Sequence, residues 1–266
     1  MKQYKDLINR VLDSAQVSPD RTGVGTLFKF GESIEIDLQD QFPIVTLRKI
    51  DYRQAFGELA AFLKGATSKK EFSELGCSYW NSTKGVDTDD NLGPIYGAQW
   101  VNFNGVNQLQ ELVTSLKENP YSRRHILSTW NPADLHKMAL PPCHITAQFN
   151  IHEGELSCVV YMRSVDIMLG LPYDLIVYAG LTHLLAKECG LNLGKLKFYF
   201  GNAHIYRNHI MDAIKLIKRT PVTEIADQPN MKPELILSST LWDFDPKEAR
   251  IIFYQPHPSV KFELNL

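Results

Sequence analysis

Ala139-Leu-Pro-Pro-Cys-His-Ile-Thr-Ala-Gln-Phe149 is the stretch from which the rest of the chain takes its meaning. Pro141 and Pro142 stand directly before Cys143. Each proline has a fixed φ and no N–H for a sheet ladder, so the backbone ahead of the thiol is stiff. Residues 144–150 then alternate in the manner of a half-buried strand. A thiol at such a junction is aimed and cannot swing away. It reacts as the thiolate, and nearby cations or dipoles are needed to lower its pKa; Arg123, Arg124 and Arg163 are candidates. A small buried hydrophobe is still the commoner use of a free cysteine, and the local sequence leaves that alternative open.

The whole chain narrows the choice. Its 266 residues suit one large core and show no break in composition, which predicts a single domain over residues 1–266. With 28 basic and 30 acidic residues the net charge is -2, which argues against a general attraction to nucleic acid. Cys77, Cys143, Cys158 and Cys189 show no metal-ligand spacing and no CxxC pair. No signal peptide, membrane-length apolar run, repeat or low-complexity tract is visible, so a reduced, cytoplasmic setting is expected.

Periodicity predicts helices over residues 4–15, 51–63, 106–117, 174–188 and 204–219. Strands fit residues 27–38, 122–130, 155–162, 195–201, 234–240 and 249–254. Regular βα alternation is missing, so the expected class is α+β around a large sheet. The loop Asp20-Arg-Thr-Gly-Val-Gly-Thr26 allows close backbone approach and starts with Arg21, which suits an anion as well as it suits a hairpin lead-in. Glu58 sits among the apolar residues of its helix, where a carboxyl is either satisfied by a neighbour or has a chemical task. From Ser78 to Trp100 the chain reads as an aromatic loop with an acidic turn, fit for stacking a heterocycle or for core packing.

Separate blocks together resemble thymidylate synthase: Asp20-Arg-Thr-Gly23, Leu92-Gly-Pro-Ile-Tyr-Gly97, Ser122-Arg-Arg124, Pro142-Cys-His144, Arg163-Ser164, Leu169-Gly-Leu-Pro172 and His204-Ile-Tyr206. They stand in the family's order and run on to Pro256-His-Pro258, covering nearly the whole chain. The resemblance implies a homodimer with sheets back to back and a pyrimidine nucleotide in each subunit. It makes Cys143 the nucleophile that adds to C6 of the base. Arg21, Arg163 and Ser164 would hold the phosphate, joined by the partner subunit's Arg123 and Arg124. Guanidinium forks suit a dianion and would lower the pKa of the thiol. His204 and Tyr206 match the sugar contacts, and Glu58, Tyr96 and His144 match the proton-moving network. Trp80, Leu140, Asp166, Leu169, Gly170 and Tyr173 match the surface that carries methylenetetrahydrofolate, with Asp166 also set beside the nucleotide. No metal is implied.

Departures from the family pattern sharpen the expectation. Asp174 stands where thymidylate synthases place the asparagine that reads uracil. An ionised carboxylate only accepts hydrogen bonds, so it would oppose O4 of uracil, whereas cytosine offers N4–H2 and an N3 that can share a proton. A buried mismatch of this kind discriminates by about 10⁴-fold. Asp174, with Met162 in place of the usual glutamine, resembles the deoxycytidylate hydroxymethylases, phage enzymes of the same superfamily. An uncomplicated helix cap is the alternative for Asp174. Thr83 stands where many synthases have a second tryptophan, Arg48 and Asp51 are altered near the expected folate tail, and the ending Lys261-Phe-Glu-Leu-Asn-Leu266 lacks the usual small apolar close. These changes favour water over hydride as the group that meets the C5 methylene. The expected activity is therefore hydroxymethylation of dCMP. Its rivals are methylation of dCMP, thymidylate synthesis from dUMP, and an inactive nucleotide- or RNA-binding homologue. The presence of Cys143, Glu58, Tyr96 and the arginine set disfavours the last.

Overall fold

The alternating segments assemble into a six-stranded mixed sheet, ordered β1-β2-β6-β5-β4-β3. Its strands are β1 (Val17–Ser18), β2 (Thr26–Asp37), β3 (Ile126–Ser128), β4 (His144–His152), β5 (Glu155–Asp166) and β6 (Asn192–Tyr206). The structure is a computed structural model that describes residues 2–14, 16–83, 90–220 and 231–265. Every pairing is antiparallel except β5 with β6. β4 and β5 form a hairpin, closing through Glu153 (φ 49°) and Gly154 (φ 79°), a two-residue turn whose twist matches the strands. The parallel β5–β6 step requires a crossover, supplied by helix α6 (Leu171–Cys189).

Helix α6 is apolar nearly all round, because it is covered by the sheet on one side and by α2 (Tyr52–Leu63) on the other. A helix buried on every side has no polar face to keep. Helix α1 (Lys2–Ser14) packs on β2. The core lies on this one face of the sheet. The opposite face leaves Phe30, Ile126, Tyr161 and Tyr199 exposed. The class is thus α+β with a large mixed sheet, as expected.

The sequence boundaries shift in instructive places. The helix expected from residue 204 begins only at Ile210, as α7 (Ile210–Ile217), after a turn at Arg207–His209. Strand β6 runs on through Tyr206 because Gly201, Ala203 and Ile205 resume the two-residue burial rhythm, shifted by one residue from that of Leu196, Phe198 and Phe200. The strand expected over 122–130 shortens to β3, and those at 234–240 and 249–254 shorten to β7 (Glu234–Ile236) and β8 (Arg250–Ile252), which pair with each other. Two helices were not foreseen: α3 (Lys69–Glu74), closed by a Ser68/Glu71 capping box, and α4 (Gly97–Val101). After them, α5 (Gln108–Glu118) completes the helices of the described residues. The acidic turn at residues 84–89, Ala15 and Leu266 lie outside the described residues.

The alternation at the head of β4 hides a bulge. His144 pairs with Met162, but Thr146 pairs with Tyr161, so Ile145 is an extra residue on this strand. Strict alternation would put His144 on the face opposite Ala147 and Phe149. With one residue inserted, all three are buried on the α6 side.

Candidate active site

Cys143 sits just ahead of β4 and is held by its backbone as much as by the two prolines. Its N–H donates to the Tyr96 hydroxyl at 3.0 Å, and its carbonyl accepts from the Arg163 N–H at 2.8 Å. The Arg163 guanidinium donates to the carbonyls of Pro142 (2.8 Å) and Pro141 (2.7 Å) and reaches to 3.9 Å from Sγ. The arginine therefore clamps the loop and faces the thiol together. Burial raises the Cys143 pKa, and Asp174 adds to the rise; the charges of Arg163 and Arg21 oppose it without overcoming it. The expected lowering by arginines exists as a contribution, but enclosure of the thiol outweighs it.

Tyr96 earns its position from the neighbouring glycine. A Cβ on Gly97 would lie 2.1 Å from the Phe62 Cα, so only glycine lets α4 start against the backbone of α2. Tyr96 itself has φ 30°, a strained value for an aromatic residue. Its ring stacks on Phe62 (5.2 Å) and on His144 (4.1 Å). His144 Nδ1 lies 2.7 Å from the Tyr178 hydroxyl, and Nε2 lies 4.0 Å from Asp174 Oδ1. Burial pushes the His144 pKa down to about 3, so the ring is neutral.

Two carboxyls face this neutral centre. Glu58 on α2 accepts from the Trp80 indole at 2.8 Å; burial pushes its pKa up to about 7 against the pull of Tyr79 and Trp80. Asp174 lies in the first turn of α6, but Gly170 occupies the cap position, so the simple cap explanation fails. The Asp174 side chain is 16 % exposed. Burial, then the neighbouring Glu58 and Asp166, keep its pKa well above the usual carboxylate range. A carboxyl that keeps its proton has one donor and one acceptor and can meet either pyrimidine edge, whereas the ionised form only accepts.

The remaining candidates fall into three places. Arg21 is exposed on its loop, yet its charge reaches Cys143 and Tyr206. Ser164 follows Arg163 on β5, opposite Asn202 of β6. His204 and Tyr206 project from the same side of β6 with rings 5.2 Å apart, and His204 Nδ1 lies 3.1 Å from Asn202 Oδ1. Asp166 accepts from the N–H groups of Met168 (2.9 Å) and Leu169 (3.1 Å), which fixes the loop through Gly170 into α6 and Tyr173. Leu140 is half-buried against the core beside the Cys143 loop. Arg123 and Arg124 are exposed, and Arg124 lines a separate groove with Phe103, Val106 and Ile126. Sequence reasoning missed Tyr178, although it stands four residues after Asp174, the spacing that puts two side chains on one helix face.

A cleft of about 980 Å³ adjoins through Tyr173. Tyr52 and Tyr254 form its aromatic walls, and Arg48, Lys49, Arg53 and Lys261 line it. The buried Arg48 donates to the Met168 carbonyl, lies over the Phe262 ring and leaves Nε without a partner. Flat walls and an unsatisfied cation suit an aromatic molecule with a carboxylate tail. The C-terminal segment docks nearby: Phe262 packs on His209, and Asn265 bonds Asn208.

A clamped thiol beside a proton-handling cluster and an arginine-bearing wall is the equipment of an enzyme that works by nucleophilic addition to an anionic substrate. The chain belongs to the thymidylate synthase family, whose model matches residues 2–266. It is 38 % identical over 268 residues to a thymidylate synthase of Corynebacterium aurimucosum, covering 99 % of this chain and 97 % of that protein. It is also 38 % identical over 285 residues to a bifunctional dihydrofolate reductase-thymidylate synthase of Paramecium tetraurelia, covering 98 % of this chain and 60 % of that longer protein. The family carries out folate-dependent one-carbon transfer with methylenetetrahydrofolate as co-substrate.

Proposed function

We propose that the chain transfers a one-carbon unit to C5 of deoxycytidylate and releases 5-hydroxymethyl-dCMP. The observation that carries this reading is the largely enclosed Asp174 carboxyl, 4.0 Å from His144 in the Cys143–His144 cluster, where burial favours its protonated form. Cytosine N3 is a base and uracil O4 is a far weaker one, so a protonated carboxyl gives cytosine more than a hydrogen bond. Passing the proton to N3 draws electrons from C6, where the Cys143 thiolate adds. Glu58, poised near neutrality, moves protons at C5. Arg21, Arg163 and Ser164 bind the phosphate, and His204 with Tyr206 holds the sugar. The folate lies across Trp80, Leu140, Asp166, Leu169, Gly170 and Tyr173, its tail toward Arg48, and supplies the one-carbon unit. The exposed apolar sheet face supports a homodimer, in which the partner subunit's Arg123 and Arg124 complete the phosphate site.

Thymidylate synthesis from dUMP is the second reading. Both relatives carry the name thymidylate synthase, and a protonated Asp174 can donate to O4 and accept from N3–H of uracil. Mass spectrometry of the products formed from dCMP and from dUMP with methylenetetrahydrofolate separates the two. Hydroxymethyl-dCMP supports the first; turnover of dUMP alone to thymidylate overturns it.

A further inference from the structure

Tyr79 has no part in the roles given so far. It opens the short turn Tyr79–Ser82, directly before Trp80, whose indole holds Glu58. Its ring packs edge-on to Tyr173 with centroids 5.3 Å apart, so it stands between the folate side of the site and the catalytic carboxyl. The hydroxyl is buried and makes no hydrogen bond of good geometry within the protein. It is nonetheless close enough to Glu58 and Cys77 for each to influence its ionisation; burial first, then the charge of Glu58, keeps the phenol neutral. Buried hydroxyls are satisfied in working structures, and one without a protein partner marks a place for water or ligand. Thr83 ends the same turn as its C-cap, with a small side chain that leaves room there.

We infer that Tyr79 is a further catalytic residue, whose O–H holds the attacking water against Glu58 in the last step of the reaction. This rests on the hydroxymethylation proposed above. Tyr79 donates to the water oxygen, the water donates to the Glu58 carboxylate, and the remaining lone pair points at the methylene carbon on C5. As the oxygen bonds to that carbon, Glu58 takes the proton. The exocyclic double-bond pair moves into the ring to restore C5=C6, and the C6–Sγ bond breaks to release the Cys143 thiolate. Nothing is oxidised or reduced.

Tyr79→Phe removes the hydroxyl and keeps the ring on Tyr173. Because that hydroxyl makes no hydrogen bond of good geometry within the protein and the ring contact with Tyr173 remains, packing is retained. Three readouts separate its role from a structural one: tritium release from dCMP labelled at C5 within a single turnover, the dependence of that release on methylenetetrahydrofolate concentration, and the covalent state of Cys143 by intact-protein mass. We expect hydroxymethyl-dCMP formation to fall about 10- to 100-fold, the scale of a hydrogen bond in a charged setting. The single-turnover rate of tritium release and its dependence on methylenetetrahydrofolate stay unchanged, and the methylene adduct accumulates on the enzyme. A variant with wild-type turnover, or one whose single-turnover tritium release falls as far as its turnover, overturns the role of Tyr79 alone. A wild type that forms dihydrofolate with its product overturns both this role and the hydroxymethylation on which it rests.

Discussion

Replacing Asp174 by asparagine exchanges a carboxyl for an amide of the same shape at a side chain only 16 % exposed. The amide can still meet a cytosine edge, donating to N3 and accepting from N4–H2, so the KM for dCMP should hardly move. What disappears is a carboxyl able to pass a proton to N3, one whose pKa burial, then Glu58 and Asp166, raise well above the usual carboxylate range. Loss of one well-placed general acid costs about 10²–10⁴ in rate, or about 3–5.5 kcal/mol on the barrier. The loss should fall on kcat. With dUMP the same amide donates to O4 and accepts from N3–H with no group held in an unfavourable protonation state, so kcat/KM should rise. Steady-state kinetics with both nucleotides measures each arm. A variant that keeps wild-type kcat on dCMP, or changes KM alone, refutes proton delivery by Asp174; a wild type that prefers dUMP refutes the base assignment itself.

Further outcomes follow from the same geometry. The Glu58 carboxyl is raised from 4.5 to about 7 by burial, so its stabilising contribution is complete below about pH 4.5 and is lost as pH rises through 7. Glu58→Gln should abolish turnover yet raise the melting temperature near pH 8 by an amount corresponding to about 3 kcal/mol, with little change near pH 4; equal shifts at both pH values would count against a buried, raised Glu58. Arg124→Glu mixed with Cys143→Ser, each inactive alone, should regain activity through hybrid dimers with one intact site, and no recovery under proven subunit exchange would argue that each site is built from one chain. Absorbance should show no dihydrofolate during dCMP turnover by the wild type. Thr83→Trp should slow hydroxymethylation or admit some hydride transfer, because an indole at the end of the Tyr79–Ser82 turn excludes water; an unchanged rate and product would place the water elsewhere.

Much of the site could be read from the chain because its residues sit in short rigid motifs. Pro141-Pro142-Cys143 announces an aimed thiol, and Glu58 is conspicuous among apolar neighbours on α2. What escaped depends on tertiary context. The alternation of residues 144–150 gives no sign of the bulge that turns His144 to the buried face. The raised pKa of Asp174 depends first on burial, then on Glu58, which is distant in sequence, and on Asp166. His204 was expected on a helix because its neighbours fit both periods over a short run, and pairing with Phe28 and Asp166 decides for the strand. Tyr79 reads as one more aromatic in the sequence, and only the fold shows its hydroxyl buried with no hydrogen bond of good geometry.

The extra residue at Ile145 acts as a swivel between two parts of one strand. Beyond it, Ala147, Phe149 and Ile151 belong to the packed body of the protein; before it, Cys143 and His144 belong to the chemistry. Conservative changes in the body can alter stability while leaving the thiol's direction alone. Deleting Ile145 does the reverse: the body keeps its pairing, and the two residues before it turn over together. Such a protein would keep much of its sheet and lose its nucleophile, so the catalytic end of β4 can vary by single steps that the core hardly registers.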